Sequence, residues 1–250
     1  MALSIQTYFA WEDEPARYKL NGVQQTNYDS EITFTDASQI TISQSGYSVE
    51  SLYSEHTYPP DILTFNAPTI KITSGEVGNY QYIVFNGNTT LQCEDLANYT
   101  GAKMIFNGNV VFDCPISAGR GSTGFEFSNG IVNFNNAEWN TYRYEIVFGN
   151  NAKIKIDSNS LNKTLVQCNS ITGDITLDIA NTIQEGDSFS IYAVDNQLNI
   201  TDETWDLVPS TDGNITTYTF RTKSSQQKKF RLFYTVNGGN RTLRFLGGVE

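Results

Sequence analysis

The chain has 250 residues, a net charge of −11 and a sequence pI near 4.5. That much negative charge repels a phosphate backbone and argues against a nucleic-acid partner. No segment approaches the roughly 20 apolar residues of a membrane span, so no membrane insertion is expected. Fourteen tyrosines, fifteen phenylalanines and recurrent Thr, Ile and Val favour strands, and apolar residues at helical spacing are missing, so almost no helix is expected.

Residues 1–30 open with MALSIQTYFAWEDEPAR, which has neither the basic start nor the apolar stretch of a signal peptide. Assembly in a cytoplasm, as for virion proteins, and a mature extracellular fragment both fit this. The segment carries Tyr8, Phe9, Trp11, Tyr18 and Tyr28 but does not match the repeat that follows. It reads as an N-terminal arm that caps the first repeat, or as an anchor docking into a larger particle.

A repeat begins at ITFTDASQITIS from Ile32 and returns as LTFNAPTIKIT, IVFNGNTTLQC, MIFNGNVVFDC, FEFSNGIVNF, IVFGNNAKIKI and VQCNSITGDITL. Its third residue is Phe34, Phe65, Phe85, Phe106, Phe127, Phe148 and Cys168, spaced 20 or 21 residues apart after a first step of 31. Two positions earlier every copy is apolar, from Ile32 to Val166, and strand alternation puts the two positions on one face. A second strand offers two further inward columns. The first is Ile40, Ile70, Leu91, Phe112, Val132, Ile154 and Ile175; the second is Ile42, Ile72, Cys93, Cys114, Phe134, Ile156 and Leu177. One such unit cannot bury its own apolar face, but stacked units share a continuous core with strands about 4.8 Å apart. Asn66, Asn86, Asn107, Asn129, Asn150 and Asn169 fall between the two strands. Asn and Gly there tolerate the left-handed conformation of a sharp corner, and stacked Asn side chains can bond from rung to rung.

The long first step implies an insertion near 44–61, with Tyr53, His56 and Tyr58 as a candidate binding loop or a plain connection. An eighth rung reads at FSIYAVDNQLNI, with Ile191 in the anchor position and Leu198 and Ile200 in the later columns. Residues 31–200 thus read as the solenoid and 201–250 as a β-rich C-terminal segment. There, 215–222, 229–236 and 241–248 read as strands, and Asn237-Gly238-Gly239-Asn240 reads as a hairpin turn. An antiparallel cap is the preferred reading of this tail, one more rung the alternative.

The rung length, inward columns and Asn corner over about residues 30–200 resemble the parallel β-helix of phage tailspikes and fibres, pectin-degrading enzymes and autotransporter passengers. The resemblance implies an all-β fold, a right-handed parallel β-helix of about seven to eight rungs. It says little about function.

Chemistry-bearing constellations are sparse. His56 is the single histidine, with nothing near it in sequence to complete a triad. Cys93 and Cys114 read as stacked, reduced core thiols, and no Cys/His spacing suits zinc. No metal and no cofactor is expected. Sugar-cleaving β-helices work through carboxylate pairs on an outward face, but Asp113 and Glu126 read as solubilising groups, as do Glu94, Asp95, Glu138 and Glu145. The cluster Arg221, Lys223, Lys228, Lys229 and Arg231 reads as a solvated hairpin face. Just before each anchor the outward column holds Val84, Ile105 and Val147, a candidate interface to be covered by other copies, as in a trimer, or by the C-terminal strands. The function expected is a non-enzymatic structural or attachment subunit, exposed on a virion or a cell surface and able to meet surface glycan. A polysaccharide-cleaving enzyme of tailspike type and a passenger fragment of a secreted adhesin are the alternatives.

Overall fold

The computed structural model describes residues 2–7, 16–27, 31–44, 62–73, 76–79, 82–93, 95–98, 103–118, 123–140, 143–223, 229–237 and 240–249. An arm of β1 (Leu3–Thr7), β2 (Ala16–Leu20) and β3 (Val23–Asn27) leads into the first rung, β4 (Glu31–Thr35) and β5 (Gln39–Gln44). The following rungs are β6 (Ile62–Ile72) with β7 (Glu76–Asn79), then β8 (Tyr82–Leu91) with β9 (Asp95–Asn98). Next come β10 (Lys103–Phe106), β11 (Val110–Phe112) and β12 (Pro115–Ala118), and then β13 (Thr123–Asn133) with β14 (Glu138–Trp139). Three long strands follow: β15 (Tyr144–Ile156), β16 (Thr164–Ile179) and β17 (Ser188–Thr201). The chain continues through β18 (Trp205–Asp212) and β19 (Ile215–Thr222) to a hairpin of β20 (Lys229–Asn237) and β21 (Asn240–Val249). A single 3-10 turn, Ser158–Ser160, is the helical content among the described residues.

Eight rungs stack in parallel from β4 and β5 to β17, so the fold is an all-β solenoid. The anchor column is in register over six rungs: Phe34, Phe65, Phe85, Phe106, Phe127 and Phe148 each pair with the next. Their rings follow the strand spacing, with centroids 5.3, 5.5, 5.0, 5.4 and 5.1 Å apart from Phe34–Phe65 to Phe127–Phe148. A second aromatic run crosses it, with Phe112 stacked on Phe134 at 5.2 Å and Phe125 on Tyr144 at 4.7 Å. Each such contact contributes about 0.5–1.5 kcal/mol beyond the burial of its rings.

The second-strand columns differ from the sequence expectation. Ile72 pairs with Leu91 rather than with Cys93, and Val132 pairs with Val110 rather than with Phe112. The cause is corner length: Ala67-Pro68, between Asn66 and Thr69, faces the single Gly87 between Asn86 and Asn88, and residues 128–131 of a later corner face the three residues 107–109. As a result Thr89 stands opposite Ile70 and Val110, a polar member of an apolar column. It is 2% exposed, and its hydroxyl donates to the Gly87 carbonyl at 3.2 Å.

The anchor column also ends earlier than expected. Ile146 pairs with Ile171, so Cys168 does not continue the column, and Ile154 pairs with Leu177 rather than with Ile175. One rung on, Cys168 pairs with Ala193 and Ile175 with Ile200, so Ile191 is not an anchor. The 3-10 turn lengthens this coil, and Gly173 meets Phe148: a Cβ built on Gly173 would lie 2.4 Å from the Phe148 carbonyl oxygen. The aromatic ladder stops where another side chain does not fit.

The corner itself works by close approach more than by left-handed backbone. Among the described non-glycine residues only Asn21 and Asn162 have positive φ, so the stacked corner asparagines are not left-handed. They form a ladder instead: Asn86 Nδ2 donates to Asn66 Oδ1 at 2.6 Å and Asn107 Nδ2 to Asn86 Oδ1 at 2.7 Å. Gly87 and Gly108 lie under the preceding rung, where a Cβ on Gly108 would fall 2.6 Å from the Gly87 carbonyl oxygen.

A further sheet closes part of the coil. Strands β7, β9, β12 and β14 pair in parallel, which brings Leu96 beside Ile116 and Ile116 beside Trp139. These short strands carry too few alternating residues to register as strands in the sequence.

Both ends of the stack turn antiparallel. At the start β1 pairs in parallel with β5, placing Leu3 by Ile40 and Ile5 by Ile42, and β2 and β3 fold back from it through an Asn21-Gly22 turn. Both turn residues have positive φ, 49° and 83°, as a two-residue hairpin loop requires. Tyr18 packs edge-on against Phe34 at 5.2 Å, so the arm shields the first rung of the ladder. At the other end β19 pairs antiparallel with β17, and β18 with β19. Phe220 and Tyr218 pack on Phe189, and Trp205 meets Phe220 edge-on. Pro209 lies in β18, at the sheet edge where a missing N–H is tolerated. The β20–β21 hairpin pairs only with itself among the described residues.

Candidate functional site

The face presented by the first strand of each rung is built from the residues that alternate with the Phe ladder. One row runs Thr33, Thr64, Val84, Ile105, Glu126, Val147 and Thr172, each in register with the next. The three residues of the expected interface therefore share one row, about 14 Å long at about 4.8 Å per rung. Val84 and Ile105 are half-buried, and Val147 is 38% exposed. Beside them Tyr82 is 48% exposed, in register with Ile62 and Lys103.

The row is not wholly apolar. Glu126 stands between Ile105 and Val147, and Lys103 from the preceding rung reaches it with Nζ 2.8 Å from Oε2. Both side chains are about one third exposed, so the pair adds little stability by itself. It does neutralise the carboxylate locally, so covering the face would not strand a single charge.

Other carboxylates are held by neighbours and do not converge. Asp113 accepts from Gln92 Nε2 and from Asn136 Nδ2, each at 3.1 Å, as one step of a polar ladder. Asp36 accepts backbone N–H bonds from Ser38 and Gln39, which hold its carboxyl below the usual carboxylate range. A denser network closes the sixth rung. Asn135 Nδ2 donates to Asp157 at 2.9 Å, Ser160 Oγ to Asn135 Oδ1 at 2.7 Å, and Lys163 Nζ to the Asn135 carbonyl at 2.6 Å. Asp157 is also the N-cap of the 3-10 turn, so this network fixes the turn that lengthens the coil.

All three cysteines are buried thiols, and burial pushes the Cys168 thiol up to about 12. Among the described residues no group of three or more His, Cys, Asp or Glu is placed to hold a metal ion. No described helix is long and apolar enough to cross a membrane. Tyr53, His56 and Tyr58 of the candidate binding loop, and Glu94, lie outside the described residues.

Comparison with known proteins finds no matching family model, no matching curated protein and no matching solved structure. The solenoid therefore rests on the pairing and packing of this chain alone.

Sequence reasoning missed a second exposed apolar group, on the terminal cap. Val194, Val208 and Ile215 are 51%, 47% and 41% exposed. Their signal was the alternation of β19, where Thr216, Tyr218 and Phe220 are buried and Ile215 faces out. Without knowing that β17, β18 and β19 are neighbours, the three residues look unrelated.

Proposed function

We propose that the protein is a non-enzymatic structural or attachment subunit, a rigid rod exposed on a virion, in the manner of a phage fibre or spike, or on a cell surface. The observation that carries this reading is the stack of eight parallel rungs over one continuous hydrophobic core, a shape suited to spanning distance and displaying a long face. The row of Val84, Ile105 and Val147 is the face by which copies associate side by side, with a trimer as the simplest closed form. The candidate loop of Tyr53, His56 and Tyr58 is the part that meets a surface glycan. The test is incubation of the purified protein with surface polysaccharides of candidate hosts. The reading expects retention of one polysaccharide without new reducing ends or unsaturated products. Release of such products would replace it with the enzyme of tailspike type.

A further inference from the structure

Charge is sharply segregated at the C-terminal end of the chain. From Thr164 to Phe220 there are nine carboxylates and no Lys or Arg, whereas from Arg221 to Val249 there are seven Lys or Arg and no carboxylate. The acidic stretch comprises the last two rungs and most of the β18–β19 cap; of the seven cations, Arg221 lies in β19, opposite Asp206 and 3.9 Å from Glu185, while Lys229, Arg231, Arg241 and Arg244 lie in the β20–β21 hairpin.

The acidic end also carries the exposed apolar group. In the outward positions of β17, β19 and β18, Tyr192 stands opposite Ile215, Asp212 opposite Ile215, and Val208 opposite Thr219. With Val194, this face holds three of the six large apolar side chains that are exposed among the described residues. Scattered exposed valines need no explanation, but a group on one sheet face marks a contact.

The hairpin is the complementary half. Its register sets Leu232 opposite Phe245 and Tyr234 opposite Leu243. A two-stranded ribbon is marginal alone in water and gains stability by laying such pairs on another surface.

We propose that the β20–β21 hairpin of one copy docks on the outer face of the β17–β19–β18 cap of a second copy. Charge selects this pairing: hairpin against hairpin would bring four cations against four, whereas hairpin against cap brings cations to carboxylates. Exposure selects the second copy. Val194, Val208 and Ile215 remain open to solvent in a chain that contains its own hairpin. Reciprocal exchange of hairpins closes into a ring or a dimer without leaving an unused docking face. This contact lies at the end of the rod and does not depend on the Val84, Ile105 and Val147 row, nor on what the rod attaches to.

The experiment uses the full chain and reads mass by sedimentation and light scattering across concentration and salt. The wild-type protein is expected to form an oligomer that weakens as salt rises. Val208→Lys with Asp212→Lys is expected to give monomers with an unchanged circular dichroism spectrum and melting midpoint, because both residues are exposed. Adding Arg241→Glu and Arg244→Glu to that variant is expected to restore the oligomer by reversing both sides of the contact. A monomeric wild-type protein whose hairpin amides lose exchange protection in Val208→Lys places the hairpin on its own cap and overturns the proposal. Dissociation by Ile105→Lys, with no effect of the cap variant, also overturns it, and leaves the lateral reading standing.

Discussion

The middle of the solenoid and its C-terminal end solve the same problem differently. From Phe34 to Phe148 each rung repeats the side chain below it, and the core is a ladder of like rings. From β16 onward the rungs are longer and paired in a shifted register, and the core is filled by Val166, Cys168, Ile171 and Phe189 in place of a ladder. Repetition is efficient where both neighbours are rungs, because one side chain satisfies the same geometry above and below. The end of the stack has a neighbour of another kind, an antiparallel cap, and needs different shapes. The regular part repeats one geometry from rung to rung, and the irregular part fits its core to the cap.

The largest effect that separates the two regions is expected at the ladder. Phe106→Ala removes a ring stacked on both sides and should cost about 3–5 kcal/mol. Phe148→Ala removes a ring tilted at 31° on Phe127, on one side of the ladder only, and should cost less. Denaturant titration of both variants checks this; equal losses, or a loss under about 1 kcal/mol at Phe106, would break the comparison.

The next effect belongs to the irregular end. The Cys168 thiol is pushed up to about 12 by burial, so the folded state keeps its proton where the unfolded chain loses it. Its contribution is fully present below the unfolded value near 9 and is lost as pH rises toward 12. Cys168→Ala should therefore flatten the fall in stability over that alkaline range, measured as the difference from wild type at each pH. The wild-type thiol should also resist labelling reagents in the native state, as should Cys93 and Cys114.

Glycines sharpen the contrast from the backbone side. Gly108→Ala forces a Cβ against the Gly87 carbonyl and should cost about 1–3 kcal/mol, the usual range for overpacking. Gly213, in the turn between β18 and β19, has φ of 58° and open space around it. Gly213→Ala should carry only the left-handed cost of about 1–2 kcal/mol, and Gly213→Asn should recover most of it. Thermal melts of the three variants are the measurement.

The smallest effect is expected at the corner ladder. Asn86→Ala breaks bonds to both Asn66 and Asn107 at an exposed site and should cost about 0.5–1.5 kcal/mol per bond at most. A loss as large as that of Phe106→Ala would mean that the corner, and not the core, sets the register.

Much of this was legible in one sequence, because a ladder writes the same residue at a fixed step. The six phenylalanines, their apolar partners two positions earlier and the Asn corner determine a parallel solenoid, its rung length and which strand face is inside. The 229–236 and 241–248 strands were legible for a similar reason, since alternation is local. Tertiary structure alone decided what depends on the neighbouring rung. A one-residue change in corner length moved Thr89 into the first inward column and put Leu91 and Phe112 in the second-column places expected of Cys93 and Cys114, although each local pattern stayed intact. Gly173 ended the ladder because the Phe148 backbone lies against it, a contact between residues 25 apart whose spacing the 3-10 turn sets. The sequence determines alternation along a strand; only packing decides which strand lies beside it and at what register, because parallel pairing is set by backbone bonds and close approach across a whole coil.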